Sequence, residues 1–82
     1  MDYDVATNHQ LEKSKKRAAV NVRRALTDEL RVLYRTMFNR CGRGLTEAQF
    51  DDVIQQLHTT GFLTIGLSTR GMKRLELVQP EK

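Results

Sequence analysis

Residues 45–78, LTEAQFDDVIQQLHTTGFLTIGLSTRGMKRLELV, contain the change of hydrophobic period that decides the fold. Thr46 and Gln49 have the S/T-x-x-E/Q spacing of a capping box, and Leu45 and Phe50 hold the two positions of a hydrophobic staple around it. A helix therefore starts at Thr46. Phe50, Val53, Ile54 and Leu57 follow at i, i+3, i+4 and i+7, the stripe of an amphipathic helix of about fourteen residues. Gly61 stands where a C-terminal cap is expected. Beyond it the period becomes two: Leu63, Ile65 and Leu67 alternate with Thr64, Gly66 and Ser68, and Leu75 and Leu77 alternate with Arg74, Glu76 and Val78. This predicts two strands joined by a turn around Ser68-Thr69-Arg70-Gly71, with Pro80 stopping the second.

Upstream, from His9 to Cys41, the pattern is helical. Val22, Leu26, Leu30, Leu33, Met37 and Cys41 recur at spacings of three and four, flanked by Val32, Tyr34 and Phe38. Thr27-Asp28-Glu29 has a capping hydroxyl followed by acids, so the segment is either one long helix or two with a joint near Thr27. A single helix of about thirty residues would be unusually long for a globular domain, which favours two. Cys41-Gly42-Arg43-Gly44 ends the segment, and either glycine can take the left-handed closing conformation. Residues 1–8 are polar without apolar periodicity and read as a flexible tail, and residues 80–82 as a second polar tail. Residues 9–79 are left as a single α+β domain.

A helical N-terminal half, a capped third helix and Gly61-Phe62-Leu63 leading into a β-hairpin with a basic tip resemble the C-terminal half of winged-helix domains. The likeness is one of architecture and covers residues 45–78, about two fifths of the chain. It implies that the Thr46 helix is the recognition helix and the hairpin the wing. Glu47, Ala48, Asp51, Asp52, Gln55, Gln56 and Thr59 would then form the exposed face of that helix. A major-groove reader sets the start of its recognition helix against bases and phosphates. This helix opens instead with three carboxylates and has no Lys or Arg, so its acids read as complements to the helix dipole on a solvated face. Gln55 and Gln56 have the chemistry to read adenine, but glutamine is common on any exposed helix.

Charge points to the partner class. Residues 13–43 hold ten of the fourteen Lys and Arg against only Asp28 and Glu29, a net +8 within a chain of net +4. Neutralising phosphates and releasing their counter-ions drives binding of such a block to nucleic acid. The candidate contacts are Lys13, Lys15, Lys16, Arg17, Arg23, Arg24, Arg31, Arg35 and Arg43, joined by Arg70, Lys73 and Arg74 around the hairpin turn. On a continuous helix Lys13, Lys16, Arg17, Arg24, Arg31 and Arg35 would keep largely to one side, able to track a phosphate backbone. The bland alternative is a solvated helix face whose cationic stems cover apolar surface. Gly42-Arg43-Gly44 has the composition of a phosphate nest, but a tight interhelical turn is the stronger reading, because Glu47, Asp51 and Asp52 would oppose an anion.

The expected function is non-enzymatic binding of double-stranded DNA, as a small regulator of transcription or an accessory factor. A homodimer is also expected to be feasible, because the apolar stripe from Val22 to Cys41 is wide enough to serve both a core and a partner. The rival expectation is a protein–protein interaction module, whose acidic Thr46 helix and basic N-terminal helix meet complementary surfaces on an acidic protein partner or on a second copy. Eighty-two residues are too few for a large buried catalytic cleft. His9, His58 and Cys41 have no metal-ligand spacing, and Asp51 and Asp52 are about 100° apart on a helix, so no enzyme, metal or cofactor is expected. A single cysteine rules out an internal disulfide and suits a reducing compartment. No leader and no apolar run of about twenty residues is present, so the expectation is a cytoplasmic protein without membrane contact, nucleoid-associated if prokaryotic.

Overall fold

The computed structural model describes the backbone of residues 2–78 and the side chains of residues 9–78. Its elements run α1 (Asp2–Glu29), β1 (Arg31–Leu33), α2 (Tyr34–Cys41), α3 (Glu47–Thr59), β2 (Leu63–Leu67) and β3 (Lys73–Leu77). The strands form one antiparallel sheet in the order β1-β3-β2, so the architecture is α+β. Pro80 and the expected C-terminal tail lie outside the described residues.

Ala18, Val22 and Leu26 put the apolar stripe of α1 into the core, with Leu11, Ala19 and Ala25 packed beside them. The helix begins at Asp2, so residues 2–8, expected as a flexible tail, have helical backbone. Helical hydrogen bonds close within the segment itself and need no apolar periodicity.

The segment holds two helices as favoured, but α1 alone runs 28 residues, the length that was expected to be too great for one helix, and the joint is not at Thr27. That residue lies inside α1, where its hydroxyl donates to the Arg23 carbonyl at 2.8 Å instead of capping a new helix. The break comes at Leu30, the described non-glycine residue with positive φ (69°). A left-handed leucine costs about 1–2 kcal/mol. Both of its backbone groups are satisfied, with N–H donating to Leu26 O at 2.6 Å and O accepting from Leu77 N at 2.8 Å. The reversal turns residues 31–33 into β1, which pairs Arg31, Val32 and Leu33 with Glu76, Leu75 and Arg74 of β3.

Tyr34, Met37 and Cys41 are the buried face of α2. The two glycines after it serve different ends. Gly42 has φ −91° and is needed for room, since a Cβ there would stand 2.5 Å from Phe38 Cδ1 and 2.8 Å from the Phe38 carbonyl oxygen. Gly44 has open space but φ +83°.

α3 begins with the expected capping box: Gln49 N–H donates to Thr46 Oγ1 at 3.2 Å, and Thr46 N–H to Gln49 Oε1 at 2.9 Å. It ends in a Schellman motif at Gly61 (φ +84°), where Gly61 N–H donates to His58 O and Phe62 N–H to Leu57 O, both at 3.0 Å. Phe50 is the centre of the core, edge-on to Tyr34 at 5.6 Å and to Phe38 at 5.3 Å.

Register in the hairpin follows the alternation. Leu63 pairs with Leu77 and Ile65 with Leu75, which directs those side chains toward the helices, while Thr64, Glu76 and Arg74 share the opposite face. Gly71 (φ +80°) closes the turn, and Ser68 Oγ accepts from the N–H groups of Arg70 and Met72. Val22, Leu26, Met37 and Cys41, from the stripe expected to serve both a core and a partner, are buried within this chain, while Leu30 of the same stripe is 49% exposed.

Candidate nucleic-acid interface

The acids of α3 are where the charge distribution becomes intelligible. Asp52 Oδ2 lies 3.5 Å from Lys15 Nζ of α1, Asp51 Oδ1 lies 3.7 Å from Lys73 Nζ of β3, and Glu47 Oε2 lies 3.9 Å from Arg35 Nη1 of α2. Each carboxylate of the helix thus meets a cation from a different element. These acids tie the surrounding elements to α3, and the cations they engage are less available to an outside anion.

The Lys73 ammonium also sits over the Tyr34 ring at 5.2 Å from its centroid. The Tyr34 hydroxyl donates to the Glu47 carbonyl oxygen at 3.4 Å. Burial first, and then the nearby Asp51 and Glu47 carboxylates, push its pKa up to about 12.

The three hairpin cations do not form one cluster. Arg70 is exposed in the turn, Lys73 faces α3 and Tyr34, and Arg74 lies on the other face of the sheet opposite Leu33 and Gly66. Arg74 is half-buried, and its Nε is buried without a hydrogen-bond partner. Neighbouring strand residues point to opposite faces, so positions 73 and 74 could not converge.

On α1, Lys13, Lys16, Arg17, Arg23 and Arg24 are exposed around Val20, which is itself 51% exposed. Among the described residues none of these five cations has a carboxylate oxygen within 4.0 Å. The Arg23 guanidinium lies 5.7 Å from the centroid of the Phe62 ring. The stripe was expected to continue through Arg31 and Arg35, and it does not. The helix ends at Leu30, which puts Arg31 on the sheet in register with Glu76 and Arg35 on α2 beside Glu47.

Arg43 is exposed in the α2–α3 turn, where Leu45 N–H donates to Gly42 O at 2.9 Å. The Thr46–Gln49 cap already engages N–H groups at the start of α3, which supports a turn over a phosphate nest there. Arg40, not counted among the sequence candidates, forms an ion pair with Glu29. Cys41 is buried, and burial raises its thiol pKa, with Arg40 opposing the shift. Among the described residues no three His, Cys, Asp or Glu side chains are grouped to hold a metal, and no helix is long and apolar enough to cross a membrane.

Sequence reasoning missed the pairing of the α3 acids. Its one local signal was the adjacency of Asp51 and Asp52, which must point about 100° apart and so address different neighbours. No family model, curated protein or solved structure matches the chain.

Proposed function

We propose that the chain is a winged-helix-like domain that binds double-stranded DNA without catalysis, as a small regulator or accessory factor. The observation that carries this reading is the outer face of α1, where five cations stand exposed without a carboxylate partner among the described residues, while the acids of α3 are engaged internally. The arrangement of α2 and α3 supports it: two helices joined through the glycine-containing segment Gly42–Thr46 and followed by a hairpin. Contacts then come from Lys13, Lys16, Arg17, Arg23 and Arg24, with Arg70 reaching from the hairpin turn. Docking by α3 is disfavoured, because its first turns present acid. Affinity comes mainly from phosphates and sequence discrimination is weak.

Fluorescence anisotropy with a random duplex at stepped salt concentrations tests this. Each phosphate contact contributes about −0.9 to the slope of log K against log salt. K13Q/K16Q should therefore flatten the slope by about 1.8, and R70Q by about 0.9. Slopes identical to that of the unmodified chain would remove these residues from the interface. A second reading, a protein-interaction module, is favoured by Leu67 and Met72 beside the hairpin turn, which are 72% and 47% exposed. Absence of duplex binding at low salt would favour it.

A further inference from the structure

We infer that the cleft between α1, the end of α2 and the α2–α3 turn is a binding site for a single phosphate group. Its volume is about 340 Å³, near the small end of the range of ligand pockets. Three guanidinium side chains line it: Arg17 from α1, Arg40 from α2 and Arg43 from the turn. Among the described residues no carboxylate lines the cleft. Arg17 and Arg43 also have no carboxylate oxygen within 4.0 Å among the described residues, while Arg40 is held by Glu29. Glu29, Arg24 and Asp28 line the adjoining cleft, which Arg40 also lines, so Arg40 stands between the two hollows.

Like charges around one hollow repel one another, and a bound anion relieves that repulsion. The planar guanidinium fork matches phosphate oxygens in pairs, giving short charge-assisted hydrogen bonds. Ser14 and Asn21, also in the lining, add a hydroxyl and an amide that can donate to the remaining oxygens. The floor is rigid, because Ala18 and Cys41 belong to the packed core. Gly42 beside it has no room for a side chain, which holds the turn close to Phe38. Among the described residues no aromatic ring lines the cleft to stack on a base, so the recognised group is the phosphate itself.

The phosphate has two chemical sources, a free phosphate or pyrophosphate and the backbone of a nucleic acid. The site stands on its own geometry and does not require the DNA-binding reading.

Amide-resolved NMR titration of the full chain with pyrophosphate at low salt tests the inference. Saturable shifts should centre on the amides of Ser14, Arg17, Asn21, Cys41 and Arg43. R17Q/R43Q should weaken binding by at least about tenfold, the loss expected when charge-assisted hydrogen bonds are removed. Neither arginine has an ion pair to lose among the described residues, and an unchanged spectrum outside the cleft establishes that the variant is folded. K13Q/K16Q removes the same charge from the outer face of α1, from side chains that do not line the cleft, and should weaken binding clearly less than R17Q/R43Q does, by a loss that fades at about 0.15 M salt, where the Debye length is about 8 Å. Non-saturating shifts, or an equal loss in both double variants, would overturn the site. Repeating the titration with a short duplex present assigns the source: competition identifies a backbone phosphate, and undisturbed pyrophosphate binding a free one. A chain that binds pyrophosphate but no duplex would keep this site and discard the DNA reading.

Discussion

Replacing Lys73 with Met separates an ion pair that stabilises the fold from one that merely exists. Lys73 Nζ is 3.7 Å from Asp51 Oδ1 and lies over Tyr34, with side chains of Lys73 and Asp51 exposed 51% and 37%. At this exposure the pair itself is worth about 0.2–1 kcal/mol after solvent screening, and the contact with the ring about 0.5–1 kcal/mol. Asp51 Oδ1 is buried without a hydrogen-bond partner, so removing Lys73 leaves it without its nearest cation. K73M should therefore cost about 1–2 kcal/mol in urea unfolding. The Arg35–Glu47 pair is longer, 3.9 Å, and its side chains are 74% and 62% exposed, so R35M should cost under about 0.5 kcal/mol. Double-mutant cycles isolate the coupling: about 0.5–1 kcal/mol for K73M with D51N, and under about 0.3 kcal/mol for R35M with E47Q. Equal couplings, or an R35M as damaging as K73M, would refute the claim that the α3 acids hold the hairpin in place. Duplex binding gives an independent check, because a cation engaged internally should change the salt slope less than Arg70 does.

The glycines of the α2–α3 turn should fail for different reasons. Gly42→Ala drives a Cβ to 2.8 Å from a backbone oxygen, which side-chain rotation cannot relieve, and should cost about 1–3 kcal/mol. Gly44→Asn meets open space in a left-handed conformation that Asn tolerates, and should cost less than about 1 kcal/mol; equal thermal midpoints for the two variants would contradict this. Tyr34 makes stability depend on alkaline pH. Its folded pKa of about 12 exceeds the ordinary 10.0, so the folded chain holds this proton more tightly, and the stabilisation is complete below pH 10 and lost as pH rises toward 12. Denaturant midpoints measured across that window should fall, and Tyr34→Phe should flatten the fall.

Local chemistry made the C-terminal half readable. The Thr46–Gln49 box, the Gly61 stop and the change from a period near 3.6 to a period of two each act within a few residues, and all three appear in place. The break before Tyr34 could not be read this way. Leu30, Leu33 and Met37 satisfy a helical stripe, and nothing local marks a leucine for the left-handed region. β1 exists because β3 offers it an open edge and Leu77 bonds Leu30, an interaction across forty-seven positions of sequence.

The candidate site divides along the same line. Sequence alone determined where the cations are concentrated and that the third helix is acidic, because composition and helical spacing are local properties. Tertiary packing decided which cations remain exposed. It set Lys15, Arg35 and Lys73 against the acids of α3 and gathered Arg17, Arg40 and Arg43 around one cleft. Ion pairing depends on distances between elements, and those distances are set only when the core around Phe50 closes.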